Sequence, residues 1–331
     1  TVVDLKAGRL EAIGPQGRAT FKARAMILAM GARERTAPAI GLASSRPAGI
    51  FTAGAAQRLV NIEGCLPGRR AVIVGSGDIG LIMARRLSLE GVDVACVVEL
   101  SPYPGGLLRN RVQCLDDFGI PLFLSHAVSK VWGEKRVEGV TIVKVDQKGR
   151  PLPGTEQKIL CDSLLLSVGL IPENELSLNA GIRLDPATGG PIVDQDCETT
   201  VPGIFACGNV VAISDLADDV TAQAELAGKR AVALLGRQAP KEGIKLRGGP
   251  GVRSFQPQIL VREEPVELVI RAAEPMEEAV LSIGDCSFKR KGIKPAQALK
   301  IKLSCEQVAK IIEAGGATLK LEEVAWKTAV S

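Results

Sequence analysis

The sequence predicts an α/β fold: two similar strand-and-helix units, the first incomplete, and a small mostly β C-terminal domain. Three observations carry this. An apolar, β-branched run, Ala71 to Val74, leads into Gly75-Ser76-Gly77-Asp78-Ile79-Gly80 and then into apolar residues at helical spacing. The stretch Lys22 to Gly31 echoes Leu160 to Gly169, each a buried strand closing on glycine, as expected of a duplicated unit. The composition is 46% hydrophobic with 36 glycines and 3% aromatic residues, which suits close-packed layers of Val, Ile, Leu and Ala.

Residues 1–68 are expected to be the remnant of the first unit, because a polar, strand-rich segment reaches the strand at 22–31 with no glycine turn before it. The front half of that unit is therefore expected to be missing. Residues 69–150 read as the second unit. In it the strand at 71–74 is followed by a helix with Ile79, Ile82, Met83 and Leu87 at helical spacing, a stop at Gly91, and a strand from Val92 to Val98. A helix at Leu107 to Phe118, a strand at Ile120 to Leu124 and hairpin material around Gly139 complete it. Residues 151–238 read as the return of the first unit, with a strand closing at Gly208-Asn209 and a helix from Val220 to Leu235. The Pro, Gly and Lys stretch 239–251 reads as a linker. In 252–331, strands at Val266 to Ala272, Ala279 to Ile283, Ala298 to Leu303 and Thr318 to Leu321 flank one helix, Glu306 to Ala314.

Charge and cysteine content exclude several classes. The net charge of +4 arises from 41 basic and 37 acidic residues with no run of five like charges, so nucleic acid is not an implied partner. No apolar stretch approaches the ~20 residues of a membrane-spanning helix. Eight widely spaced cysteines without a C-x-x-C read as thiols of a reducing compartment, which places the protein in the cytoplasm and argues against a local dithiol, zinc knuckle or cluster site. With a single histidine, His126, no metal site is expected.

Gly75, Gly77 and Gly80 have the spacing of a dinucleotide-binding turn. The first permits the tight turn, the second lets backbone approach a pyrophosphate, and the third lets the helix pack on the strand. The helix start, Ser76 to Gly80, then presents amides and a positive dipole to phosphate. Glu99 stands at the end of the next strand, where a carboxylate accepts from ribose hydroxyls and repels a 2′-phosphate, and no Arg cluster follows, so NAD is favoured over NADP. The blander alternative for Glu99 is a solvated strand end. The run Thr200 to Asn209 is, by its residues, a strand with a close-approach glycine and a polar side chain, consistent with a ligand at its carboxyl end.

Taken together in this order, Ile27 to Arg35 (ILAMGARER), Val74 to Gly80, Leu165 to Leu176 (LLSVGLIPENEL) and Ile204 to Asn209 (IFACGN) resemble the pyridine nucleotide-disulfide oxidoreductase superfamily across residues 1–238. The resemblance implies a two-dinucleotide-binding-domain flavoprotein, a first Rossmann-like domain for FAD and an inserted one for NAD. It places Gly75, Ser76, Gly77, Asp78, Ile79, Gly80, Glu99 and Gly169 on the NAD side, and Gly31, Ala32, Arg33, Gly208 and Asn209 on the FAD side. More narrowly, Arg46 to Gln57, Gly75 to Arg86 and Cys161 to Leu176 resemble bacterial oxidoreductases associated with anaerobic glycerol-3-phosphate dehydrogenase-like subunits, implying a dehydrogenase-like electron-transfer partner. The chain departs from these patterns at Asn209, where Asp is usual, at Ala32, where Cys is usual, and at Ala212 and Ser214, near which His is common.

Other candidates take plainer readings. His126 reads as a loop or strand-end residue, Cys207 as a small buried hydrophobe, and Asp215, Asp218 and Asp219 as capping or surface carboxylates. Arg33, Glu34 and Arg35 read equally as cofactor contacts or as an ion-paired loop. The leading expectation is hydride exchange between NAD(H) and FAD, with electrons passed to a partner protein or acceptor. The cofactor supplies the chemistry and the protein the placement, so no acid-base pair is required. Two rivals stand beside it: a non-catalytic NAD-binding or assembly protein, and an inactive fragment lacking the FAD fingerprint. An oligomer is compatible with all three.

Overall fold

The computed structural model describes residues 1–42, 44–234, 236 and 243–324. Contacts divide the chain into two compact units, Glu34–Ile171 and Thr1–Arg33 with Pro172–Ser331.

The first of these is a three-layer unit. Its central sheet is parallel throughout, in the order Ile50–Thr52, Ser163–Leu166, Arg70–Val74, Asp93–Val98, Leu122–Phe123. Both faces are covered, which is why its strands read as continuous apolar runs. Ile73, Val97 and Leu165 face a core with the helices Ala53–Asn61 and Asp78–Leu89. Their strand neighbours Val72, Cys96, Val98, Leu164 and Leu166 face the opposite core with Val131, Val140 and Ile142 of an antiparallel sheet, His126–Trp132, Gly139–Lys144 and Gln157–Leu160.

Several boundaries differ from the expectation. Residues 34–68 and 151–171 fold with 69–150, because the strands at 50–52 and 163–166 are built into the same sheet. The helix at 78–89 buries Gly80, Leu81, Met83, Ala84 and Leu87, whereas Ile79 and Ile82 are 47% and 41% exposed. Close packing at Gly80 fixes the inward face, and Met83, Ala84 and Leu87 follow it at helical spacing. Gly139 begins a strand rather than turning a hairpin, and the left-handed residue of that connection is Gly133 (φ +111°). The helix expected over 107–118 is a short α-helix, Leu108–Cys114, followed by a 3₁₀ turn at Asp116–Phe118.

In the second unit, an antiparallel meander (Val2–Lys6, Arg9–Gly14, Gly17–Lys22) precedes Met26–Leu28, which pairs in parallel with Ile204–Ala206. The long helix Ala217–Leu234 buries Ala227 and Ala231 against Cys197, Phe205 and Cys207. The expected end of that helix, Leu235, lies outside the described residues. The C-terminal part is the mostly β domain expected, two sheets around Leu268, Ile270, Leu281, Ile283, Ile301, Val308 and Leu319. Of the expected linker, 239–242 lie outside the described residues, while Ile244–Gly248 is a strand paired with Ala317–Glu323. Strands at Val252–Gln256 and Cys286–Ile293 were not expected. The second alternates exposed and half-buried residues, a sheet face with a weak apolar signal.

Candidate dinucleotide site

The glycine turn joins strand Arg70–Val74 to helix Asp78–Leu89 through left-handed Gly75 (φ +94°). The three glycines serve different needs. A methyl on Gly75 would stand 2.1 Å from the Ser167 carbonyl oxygen, and one on Gly80 would stand 2.4 Å from the Gly75 oxygen and 2.9 Å from Ser167 Cβ. One on Gly77 would meet nothing within 4 Å. Gly75 and Gly80 are therefore fixed by the fold, and Gly77 faces the open space that a pyrophosphate needs over the helix amides. The residues present fit a dinucleotide. Ser167 follows the strand Ser163–Leu166, next to Arg70–Val74, and locks the turn from below, a role that no sequence motif announced. Gly169 is left-handed (φ +91°) with open space at its α-carbon, and its oxygen accepts from the Arg35 amide at 3.1 Å. Ile79 is half exposed on the first turn of the helix.

Glu99 does not simply face solvent. One oxygen, Oε2, accepts from the Ser76 amide at 2.9 Å and the Ser76 hydroxyl at 2.7 Å, and Oε1 accepts from the Ser101 amide at 2.9 Å. About four lone-pair sites belong to a carboxylate, so one on Oε1 is left for a ribose hydroxyl. Asp78 points its Oδ1 at the Leu107 amide, 2.8 Å away, and at the Asn110 side chain, 2.6 Å away. Apart from Ser101, these partners lie about 20 to 30 residues away in sequence, beyond what local pattern reveals.

In the second unit, Gly31 (φ +72°) and Gly208 (φ +75°) are left-handed glycines just beyond the carboxyl ends of the paired parallel strands 26–28 and 204–206. The Gly208 amide donates to Gln223 Oε1 at 2.7 Å, and Asn209 Oδ1 accepts from the Ser214 amide at 3.0 Å. Asn209 Nδ2 is without a hydrogen bond among the described residues and remains available to a ligand. Arg33, next to half-buried Ala32, pairs with Glu173 and Glu175, and its hydrogen bond holds the Glu175 carboxyl below the usual range. Glu34 accepts from the Gly54 amide at 2.7 Å at the start of helix Ala53–Asn61. Arg33 is thus ion-paired and Glu34 caps a helix start, and the residues present fit one side of a flavin site.

His126 opens a strand with Nδ1 2.7 Å from the Leu124 carbonyl, and its Nε2 is buried without a partner. Asp215 accepts from Arg271 and from the Ala298 amide, and Asp219 pairs with Lys300. No group of acidic, His or Cys residues suited to a metal occurs among the described residues.

The model of the family "Pyridine nucleotide-disulphide oxidoreductase" matches residues 1–231. The chain belongs to this family. Members use FAD and NAD(P)H, the two cofactors that the motifs implied. Among curated relatives, an opine oxidase component of Agrobacterium tumefaciens is 29% identical over 67% of this chain and 46% of its own length. A probable ferredoxin reductase of Castellaniella defragrans is 27% identical over 66% and 53%. The chain thus spans about half the length of these relatives. The fold of this family member matches that of T. acidophilum thioredoxin reductase (TM-score 0.54, 23% identity, 71% of this chain and 73% of that one). It also matches an FAD-dependent pyridine nucleotide-disulphide oxidoreductase from Desulfovibrio vulgaris (TM-score 0.55, 21% identity, 95% and 81%). Among the described residues no helix is long and apolar enough to cross a membrane.

Proposed function

We propose that the chain holds NAD(H) across Gly75–Gly80 with Glu99 at the adenosine ribose, and takes part in hydride exchange with FAD bound along Gly31–Arg33 and Gly208–Asn209. The observation that carries this reading is the open face at Gly77, flanked by two glycines whose side-chain positions are filled by the protein itself. FAD, when bound, supplies the hydride chemistry. The chain's own residues bind and orient: helix amides meet the pyrophosphate, Glu99 takes a ribose hydroxyl, and Asn209 offers a donor.

Electrons then pass to a dehydrogenase-like protein partner or a diffusible acceptor. Relatives named as ferredoxin reductases support a protein acceptor. Titration with both nucleotides tests the nucleotide assignment. NADH is expected to bind more tightly than NADPH, and Glu99→Ala to narrow the gap, because the carboxylate that repels a 2′-phosphate is gone. A preference of the unaltered chain for NADPH would refute the assignment.

A further inference from the structure

Directly after Glu99 the chain does not leave the site. Ser101-Pro102-Tyr103-Pro104-Gly105-Gly106-Leu107 folds back over the glycine turn as a strap. The Gly105 amide donates to Ser76 Oγ at 2.8 Å, the Leu107 amide to Asp78 Oδ1 at 2.8 Å, and Asn110 Nδ2 to the same oxygen at 2.6 Å. At its start, the Ser101 amide is held by Glu99 and the Ser101 carbonyl accepts from the Ser125 amide at 3.0 Å. Backbone closeness shows how tightly the strap lies. A methyl on Gly106 would stand 2.8 Å from Asp78 Oδ1, 2.8 Å from Leu81 Cδ1 and 3.0 Å from the Ser76 oxygen, and one on Gly105 3.4 Å from the Gly77 nitrogen.

An acidic residue in a first helical turn is ordinarily explained by the helix dipole. Asp78 does more than that, since its Oδ1 takes two donors from outside its own helix. The strap runs from the ribose-binding Glu99 to the amide of Gly77, so it flanks the adenosine half of a bound dinucleotide. We propose that Asp78 is a positioning residue, which latches residues 101–107 so that the strap forms a wall of the adenosine subsite. This rests on the assignment of NAD(H) to the glycine turn.

The test measures ADP-ribose and NADH binding by calorimetry together with hydrogen exchange at the Gly105 and Leu107 amides. Asp78→Ala is expected to weaken both ligands by the same factor, about tenfold, the loss of one or two hydrogen bonds to a charged group. Both amides should exchange faster. Asp78→Asn keeps the acceptor oxygen and is expected to restore most of the affinity, which a role of the charge alone would not do. Asn110→Ala, which removes one partner of Asp78 Oδ1, and Gly106→Ala, which crowds the strap against Ser76 and Asp78, change only the strap's side of the contact. Both should act in the same direction and carry the test if Asp78→Ala does not fold. Faster amide exchange with unchanged ADP-ribose affinity would overturn the strap's role while leaving the nucleotide assignment standing. Failure of the unaltered chain to bind either ligand would overturn both.

Discussion

At the residue scale, the three turn glycines make separable predictions. Gly77→Ala meets no neighbour within 4 Å and keeps an ordinary backbone (φ −63°), so thermal stability is expected to stay near that of the unaltered chain. NADH affinity should nevertheless fall, because the methyl enters the space of the pyrophosphate. Gly75→Ala and Gly80→Ala, with contacts of 2.1 and 2.4 Å against backbone oxygens, should instead lower the melting temperature markedly. Calorimetry and nucleotide titration on all three separate the effects. Equal destabilisation by Gly77→Ala would show that its open face is part of the packing.

At the scale of elements, Asp162 ties two strands of the parallel sheet. It precedes Ser163–Leu166, and its carboxylate accepts from the Arg69 and Arg70 amides at 2.9 and 3.0 Å where Arg70–Val74 begins. Burial pushes its pKa up, but these amides and the nearby Arg136 outweigh burial and hold it below the usual value. A depressed carboxylate contributes stability that is present above its unfolded pKa and is lost as pH falls through the folded one. Asp162→Ala is therefore expected to cost about 1 kcal/mol at neutral pH, after allowance for its partial exposure. It should also flatten the acid limb of stability against pH below ~4. Urea unfolding at pH 7 and pH 3 checks this: an unchanged acid limb would exclude Asp162 as its source.

For the whole molecule, the thiols bear on where electrons go. All eight cysteines are free. The fold does bring some of the scattered ones into common cores, Cys96 with Cys161 and Cys197 with Cys207. Burial pushes Cys96 and Cys197 up to about 12 and Cys161 to about 11, and raises Cys207 as well. Thiolates, the reactive form, are disfavoured at all four. A thiol reagent at pH 8 is expected to label Cys65 and Cys305, the two exposed residues, rapidly and those four slowly. Fast modification of Cys197 or Cys207 in the folded protein would reopen a dithiol route beside Gly208.

By itself the sequence determined what depends on neighbours along the chain: the glycine turn between strand and helix, the acidic residue ending the next strand, and the period-2 strands around Val266–Ala272. Each is set by backbone conformation or by burial of one face, and both leave a local pattern. Only the tertiary structure decided which elements share a sheet, since 163–166 inserts between 50–52 and 70–74, two strands far ahead of it in sequence. It also decided the inward face of the helix at 78–89, because that depends on what Gly80 packs against. The same holds for the work of Ser76, Asp78, Ser167 and Glu99. Their partners are hydrogen-bonding groups brought close by folding, and a polar side chain carries no periodic mark of the distant group that it will meet.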